Sequence, residues 1–393
     1  MQAPHGASRI PPLVDPGPAL SADQVRRWSR HLLLPQLGEI AQRRLRASRV
    51  CVVGAGGLGA PVLLYLAAAG VGRLGVVDAD DVELSNLQRQ ILHGVADVGA
   101  PKVASARSRV AEIDPAVDVV THHLRLTADN VDLLAQYDLV VDGTDNFETR
   151  YLVNDACVRW GLPEVWGSVY RFDAQVATFW GAPPAGVPAV QLRDLFPQPP
   201  APGEVPSCDA AGVLGALCGQ VGSLMATEAV KLITGVGDPL LGRVLLIDAL
   251  RARWTEVPLR GGAHGETDVS GAARAGAGAA HATDAAAPSV GEITAPELAG
   301  LLADGSVTVV DVREPMEREI ASLPGALPLP MGELVRDPAA VPADRPVVLM
   351  CHHGVRSVQA ALHLVAHGRT GVRHLVGGID AWSLTVDPSV PRY

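Results

Sequence analysis

Short, uninterrupted apolar runs alternate along the first two thirds of the chain with stretches whose apolar positions recur every three or four residues. RVCVV (49–53) runs into GAGGLG (54–59) as a buried strand entering a glycine turn, APVLLYLAAAG (60–70) reads as a helix, and RLGVVDADDVE (73–83) begins as the next strand. The alternation predicts a helix around 101–113, a strand around 117–124, a helix around 129–136 and a strand in YDLVVDGTDN (137–146). Strands alternating with helices predict an α/β fold, a Rossmann-like, mostly parallel sheet with helices on both faces. Upstream, SADQVRRWSRHLLLPQLG (21–38) opens on a serine cap and reads as an amphipathic helix, with a short helix at 41–47. Residues 1–20 are Pro-rich and read as disordered, and 182–207, rich in Pro and Gly, read as loop. CGQVGSLMATEAVKLITG (218–235) is a helix stopping at Gly235, and RVLLIDAL (243–250) and ARWTEVPL (252–259) read as strands.

Residues 261–288 are almost all small or polar, without apolar period, and read as a flexible linker; scattered glycines weigh against an Ala-rich helix. Beyond it, 289–393 repeats the α/β alternation at domain size. EITAPELAGLLADG (292–305) is a helix and VTVVDVRE (307–314) a strand; PVVLMCHHG (346–354) is a strand into a loop. RSVQAALHLVAHG (356–368) is a helix and VRHLVGGIDAW (372–382) a strand into a helix. The expected division is therefore a tail at 1–20, a nucleotide-binding domain at 21–260, the linker and a smaller α/β domain.

Composition narrows the function classes. With 32 Lys and Arg against 42 Asp and Glu, the net charge of −10 offers no basic footprint for nucleic acid. Aromatics are only 4% of the chain, so the cores must be Val, Leu and Ala. Five cysteines (Cys51, Cys157, Cys208, Cys218 and Cys351) form no even, spaced framework, which fits reduced thiols in the cytoplasm. No secretory leader is expected from the first 20 residues, and the apolar stretch 50–77 is too rich in glycine to span a membrane.

Candidate chemistry begins at Gly54, Gly56, Gly57 and Gly59, between a strand and a helix, where backbone amides can approach a phosphate. Asp78 closes the second strand about twenty residues on, the offset of an acid that binds ribose hydroxyls. That much suits a dinucleotide or ATP equally. Within DADDVELSNLQRQ (78–90), Arg89 follows Asn86, and Lys102 comes soon after; such cations suit a triphosphate, although a solvated helix face would carry them too. Asp145 lies just past the carboxyl end of a buried strand, where it can hold Mg²⁺ transiently beside phosphates; Asp142 competes for that role or merely ends the strand.

Taken together, GAGGLG, DADDVELSNLQRQ, GAPKVASAR and DGTDN resemble the MoeB/ThiF family of adenylating enzymes, kin of the ubiquitin-activating enzymes, over about residues 20–260. The resemblance implies an ATP site drawn from Gly56, Asp78, Asp80, Ser85, Asn86, Leu87, Gln88, Arg89, Lys102, Asp145 and Asn146. It implies that Arg30, in RWSRH, reaches the nucleotide of a second subunit in a homodimer. It implies as partner a ubiquitin-like sulfur-carrier protein ending in Gly-Gly, whose C-terminal carboxylate is adenylated. The carrier could serve molybdopterin, thiamine, cysteine or secondary-metabolite sulfur. Many relatives bind zinc through two Cys-x-x-Cys pairs; neither is present here, so no structural zinc is expected. Cys208, in VPSCDAAGV, is either a loop thiol able to attack the acyl-adenylate, as in relatives, or a small hydrophobe. Cys51, Cys157 and Cys218 read as core.

VVDVREPMERE, LPGALPLP, VVLMCHHGVRS and VGGIDAW resemble a rhodanese, a sulfurtransferase domain, over about 290–390. Cys351 stands between a strand and a helix whose N-terminus and loop amides favour the thiolate, and Arg356 adds positive charge. Four residues separate Cys351 from Arg356, one fewer than in the cradle of cysteine phosphatases, so the loop suits a sulfane sulfur better than a phosphate. His352 and His353 are expected to point apart and line the entrance without a third metal ligand, and Asp311 and Arg313 to brace the cradle. The two domains together resemble MoeZ-type adenylyltransferase/sulfurtransferases, fed by a donor such as thiosulfate or a cysteine desulfurase. Two competing readings stand beside this one: an NAD-dependent oxidoreductase with a rhodanese docking module, and an adenylation-only enzyme with a non-catalytic tail.

Overall fold

The computed structural model describes residues 10–199, 212–262 and 290–392. These fall into two compact units, the first of residues 10–199 with 212–262 and the second of 290–392.

In the first unit, eight strands among the described residues form one sheet in the order β3-β2-β1-β4-β5-β6-β7-β8. They are β1 (Arg49–Val53), β2 (Arg73–Val77), β3 (Asp118–His122), β4 (Leu139–Asp142), β5 (Glu164–Tyr170), β6 (Asp173–Phe179), β7 (Arg243–Asp248) and β8 (Arg253–Pro258). Pairs from β3 to β5 are parallel; those from β5 to β8 are antiparallel. Strand order reverses between β1 and β4, which opens a crevice at the carboxyl ends of those strands.

Period two decides the layers. Val50 and Val52 of β1 join a core formed with helices α3 (Gly38–Ala47), α4 (Gly59–Ala69), α5 (Lys102–Ile113) and α8 (Gly215–Thr234). Cys51 and Val53 face the opposite core, with α6 (Phe147–Trp160) and the 3₁₀ turn Val131–Gln136. Buried between the sheet and its helical neighbours, α4 is apolar almost all round. Burying leucines such as Leu63 and Leu66 there stabilises the layer by about 1.5–3 kcal/mol each.

Three expectations change. The helix foreseen over 21–38 breaks into α1 (Ala22–Arg27) and α2 (Ser29–Leu32), because Trp28 turns inward and lies against Gly70 at the end of α4. Residues 10–20, read as disordered, are laid on the helices: Leu13 N–H donates to Leu232 O (3.1 Å) and Gly17 N–H to Arg43 O (3.2 Å). Prolines lose little further freedom on docking, and the exposed carbonyls at helix ends need donors. The loop foreseen over 182–207 contains a short helix, α7 (Leu192–Leu195); its part from 200 on, and Cys208 just after it, lie outside the described residues.

The second unit is a parallel sheet, in the order β11-β10-β12-β13-β9, of β9 (Gly291–Ile293), β10 (Thr308–Asp311), β11 (Leu327–Pro328), β12 (Val347–Met350) and β13 (Val372–Leu375). Helices α9 (Ala295–Ala303) and α13 (Gly378–Thr385) pack on one face. Helices α11 (Met331–Arg336) and α12 (Val355–Ala366) pack on the other, while α10 (Pro315–Ile320) follows β10. The stretch 263–289, most of the expected linker, lies outside the described residues. No helix among the described residues is long and apolar enough to cross a membrane.

Candidate functional site

At the crevice of the first unit, the chain leaves β1 through Gly54, whose φ is +90°, and its N–H donates to Val77 O at 2.8 Å. A Cβ on Gly59 would stand 1.8 Å from Gly54 O, so the turn into α4 closes only with glycine at that position. Its Ala55 N–H donates to Asp78 Oδ2 (2.8 Å), and Asp80 N–H to Asp78 Oδ1 (2.9 Å). Burial pushes the Asp78 carboxyl above its ordinary range, opposed by the Lys102 charge. Lys102 is itself buried; its Nζ donates to Asp80 Oδ2 at 2.9 Å.

The segment after Asp80 folds back over the turn. Arg89 passes Gly57 so closely that a Cβ there would lie 3.7 Å from its Cγ, and its Nη1 donates to Ser85 O (3.2 Å). Asn86 is buried: Oδ1 accepts from Glu83 N–H (3.3 Å) and Nδ2 donates to Ser85 Oγ (3.4 Å). Leu87 is half-buried and Gln88 exposed, the latter with its carbonyl against Gly215. Beyond β4, Gly143 abuts Gly54, which brings the loop carrying exposed Asp145 to the same edge. Asn146 caps α6, its Oδ1 accepting from Thr149 N–H at 2.9 Å. One expected residue is elsewhere. Arg30 is exposed on α2, which packs through Trp28 at the C-terminal end of α4, about 16 Å along that helix from the glycine turn.

Several residues escaped sequence reading. His93 bridges Ser105 Oγ (2.8 Å) and Ala55 O (3.0 Å); burial lowers its pKa, so it braces the turn as a neutral ring. Cys218 of α8, expected as core, is buried there, and what the sequence did not show is that it supports the turn from behind, its Sγ 3.1 Å from where a Gly57 Cβ would be. Arg150 donates from Nε (3.1 Å) and Nη2 (2.8 Å) to Thr144 O, while its guanidinium lies 5.3 Å and 5.6 Å from the rings of Phe147 and Trp166. It holds the loop next to Asp145. Its own charge faces Asp142 and Glu164, two buried carboxyls whose pKa values burial raises. Arg150 sits one helical turn after the cap Asn146, which is the only trace it leaves in sequence.

The second unit places Cys351 at the end of β12, buried. Gly354, with φ +97°, turns the chain into α12, and its N–H points at Cys351 Sγ at 3.1 Å. Ser357, fully buried, lies 3.6 Å from the sulfur and donates to Gly354 O (2.9 Å). Arg313 is wholly buried and forks onto Asp311 (Nε to Oδ1 2.9 Å, Nη2 to Oδ2 2.7 Å); Nη2 also donates to Ala321 O at 2.9 Å. Arg356 is paired: it forks onto Glu317 at 2.8 Å and 2.6 Å, so the positive charge it was expected to add near the loop is offset. The histidine expectation is also corrected. The rings of His352 and His353 do not point apart but stack with centroids 3.8 Å apart, and Asp380 stands beside them as a third possible ligand. Burial and the adjacent His353 lower His352 to a pKa of about 4.

Residues 28–267 match the ThiF family and residues 294–385 the rhodanese-like domain. The chain belongs to the ThiF family, with a rhodanese-like domain appended. Its domain order and length are those of the two-domain adenylyltransferase/sulfurtransferases. It is 48% identical over 98% of its length to the whole of a probable adenylyltransferase/sulfurtransferase MoeZ of Mycobacterium tuberculosis. It is 40% identical, over 98% of this chain and 87% of that protein, to adenylyltransferase and sulfurtransferase MOCS3-1 of Zea mays. A sulfur carrier protein adenylyltransferase of Thermus thermophilus is 52% identical over 61% of this chain and 88% of its own. Among solved structures, Escherichia coli MccB crystallised with ATP shares the fold at 20% identity, with a TM-score of 0.52 over 60% of this chain and 72% of that one.

Proposed function

We propose that this enzyme adenylates the C-terminal glycine of a ubiquitin-like sulfur-carrier protein with ATP, and that Cys351 supplies the sulfur that turns the activated end into a thiocarboxylate. The observation that carries the reading is the pairing of two sites in one chain. One is a glycine turn flanked by Asp78, Arg89, Lys102 and Asp145; the other is a cysteine facing a loop amide.

The turn fits a triphosphate. Gly56 leaves its outer side open, with Gln90 Nε2 3.6 Å from where a Cβ would be, and two cations flank it. Asp78 suits the ribose hydroxyls, and Lys102 and Arg89 the phosphate oxygens. Gly54, Gly57 and Gly59 shape the cradle, while Asn86 and Asn146 fix the loops that carry Arg89 and Asp145. Asp145 would hold Mg²⁺, which neutralises phosphate charge while the carrier carboxylate attacks the α-phosphorus and pyrophosphate leaves. Arg30, too distant for its own site, serves a second copy in a homodimer; exposed Leu33, Leu34 and Ile40 nearby in sequence give such a copy apolar surface to cover. No structural zinc of the Cys-x-x-Cys kind is part of the reading, and the setting is the cytoplasm.

With thiosulfate as donor, the Cys351 thiolate attacks the outer sulfur, and sulfite leaves with the electrons of the broken S–S bond. The resulting persulfide attacks the acyl carbon and AMP departs. A second thiol must then open the acyl disulfide to free the thiocarboxylate. Cys208 is proposed either for that role, with an external thiol reducing the disulfide formed, or as an acyl acceptor before it.

Asp145→Ala is expected to lower carrier-dependent ATP–pyrophosphate exchange by about 10²-fold or more. Cys351→Ala should keep exchange and lose the thiocarboxylate, read by mass spectrometry of the carrier as oxygen replaced by sulfur. Thiocarboxylate made at the normal rate by Cys351→Ala would sink the two-site mechanism.

A further inference from the structure

Beside Cys351 lies a side-chain cluster that the sulfur chemistry leaves unused. Its backbone frame is fixed. A Cβ on Gly378 would stand 2.1 Å from His352 O, so glycine at that position lets α13 start directly against the loop. Ile379 N–H then donates to Cys351 O (2.9 Å) and Asp380 N–H to His352 O (3.2 Å). Those two bonds set the Asp380 side chain beside the stacked imidazoles. One ligand atom each from His352, His353 and Asp380 lies within 4.8 Å of the other two. Asp380 Oδ2 is 4.0 Å from His353 Nδ1, whereas Oδ1 takes the shorter bond from Arg392, at 2.6 Å.

We propose that His352, His353 and Asp380 form a binding site for a divalent transition cation of the zinc class, and that its occupation blocks sulfur transfer at Cys351. Two imidazole nitrogens and one carboxylate oxygen suit Zn²⁺, Co²⁺, Ni²⁺ or Cu²⁺; Mg²⁺ and Ca²⁺ want oxygen alone. Ligand bonds of about 2.0–2.2 Å require the three donors to close on a common centre. His353, exposed, can swing to allow this, while His352 and Asp380 are held by the loop-to-helix bonds. Arg392 forks onto the carboxylate, Nε to Oδ1 at 2.6 Å and Nη2 to Oδ2 at the longer 3.2 Å, and so orients it with Oδ2 on the side of the histidines; a cation would take Oδ2 in place of the longer of these bonds. The site directly follows Cys351 in the chain, so a cation there crowds the donor's approach.

The binding arm stands on geometry alone; the inhibition arm rests on the reading of Cys351 given above. The test uses the full chain carrying His363→Ala, because His363 on α12 and His367 at its C-cap, with rings 4.3 Å apart, form a second imidazole pair. Titration with Co²⁺, followed by visible absorption, should show one equivalent that is weakened at least about 10-fold by His353→Ala and by Asp380→Asn. Zn²⁺ should inhibit thiosulfate-to-cyanide sulfur transfer reversibly with EDTA, and Asp380→Asn should escape that inhibition, each variant compared with its own metal-free rate. Unchanged Co²⁺ stoichiometry and affinity in both variants would overturn the site. Equal Zn²⁺ inhibition in Asp380→Asn would place the blocking cation on another ligand, such as the thiolate, and overturn the proposal as well. A metal-free chain without sulfur transfer would refute the reading of Cys351 and leave the Co²⁺ titration to judge the site.

Discussion

Single residues behind the nucleotide crevice carry charge that the chemistry does not use directly. Among the described residues Arg150 is the cation that acts on Asp142 and Glu164, so one positive charge faces two buried carboxyls, and one of them is best kept protonated. Glu164 has both oxygens buried without a hydrogen-bond partner, which makes its ionised form costly. Its folded pKa is raised above the unfolded value of about 4.3. Its contribution to stability is therefore complete below that value and is lost as pH rises through the raised one, by up to about 1.4 kcal/mol per pH unit. Glu164→Gln removes the titration and keeps the shape. Its melting temperature relative to the parent should be higher at pH 8 than at pH 5, measured by calorimetry. The same difference at both values would mean that Glu164 is ionised in the fold. Nothing in the sequence marks this carboxyl: it stands at the start of an apolar strand, and only the register of β5 beside β4 brings it near Asp142.

At the scale of elements, the glycine turn shows how far a sequence pattern carries. GAGGLG after RVCVV was legible because a strand, a tight turn and a buried helix each leave a local signature, and the spacing to Asp78 and Lys102 follows from the same βαβ unit. The break at Trp28 and the docking of residues 10–20 were not legible, since both depend on long-range partners, Gly70 and the ends of α3 and α8. Helix α6 and the β5–β6 hairpin also carried no expectation, although Arg150 and Trp166 belong to them. Within the turn, the glycines differ in what they do. Gly59 is enclosed by the Gly54 carbonyl, while Gly56 meets only Gln90 Nε2 at 3.6 Å. Gly59→Ala should lower stability by about 1–3 kcal/mol or more. Gly56→Ala should leave the melting temperature unchanged and weaken ATP binding about 10-fold, since its methyl group occupies the space kept for a phosphate. Equal losses of stability in both variants would show that the turn has no open side.

For the molecule as a whole, the two units have separate buried cores, and each carries one candidate site. The change in composition at 261–288 raised the expectation of two domains, but the motifs could not say what stiffens the second unit: VVDVRE shows an Asp and an Arg two apart, not that Arg313 would be wholly buried and forked onto Asp311. The same guanidinium ties β10 to the carbonyl of Ala321 after α10, and α10 carries Glu317, which holds Arg356 beside the Cys351 loop. Arg313→Ala would leave Asp311 charged in the core, and breaking a buried pair on one side costs about 3–5 kcal/mol. For a domain of this size that is enough to unfold much of it near physiological temperature. The variant should therefore lose thiosulfate-to-cyanide transfer and melt in an earlier first transition, while carrier-dependent ATP–pyrophosphate exchange stays within about twofold, because Gly54 to Gly59, Asp78, Arg89, Lys102 and Asp145 all belong to the first unit. Exchange falling in step with sulfur transfer would show instead that the first unit needs a folded partner to adenylate its carrier.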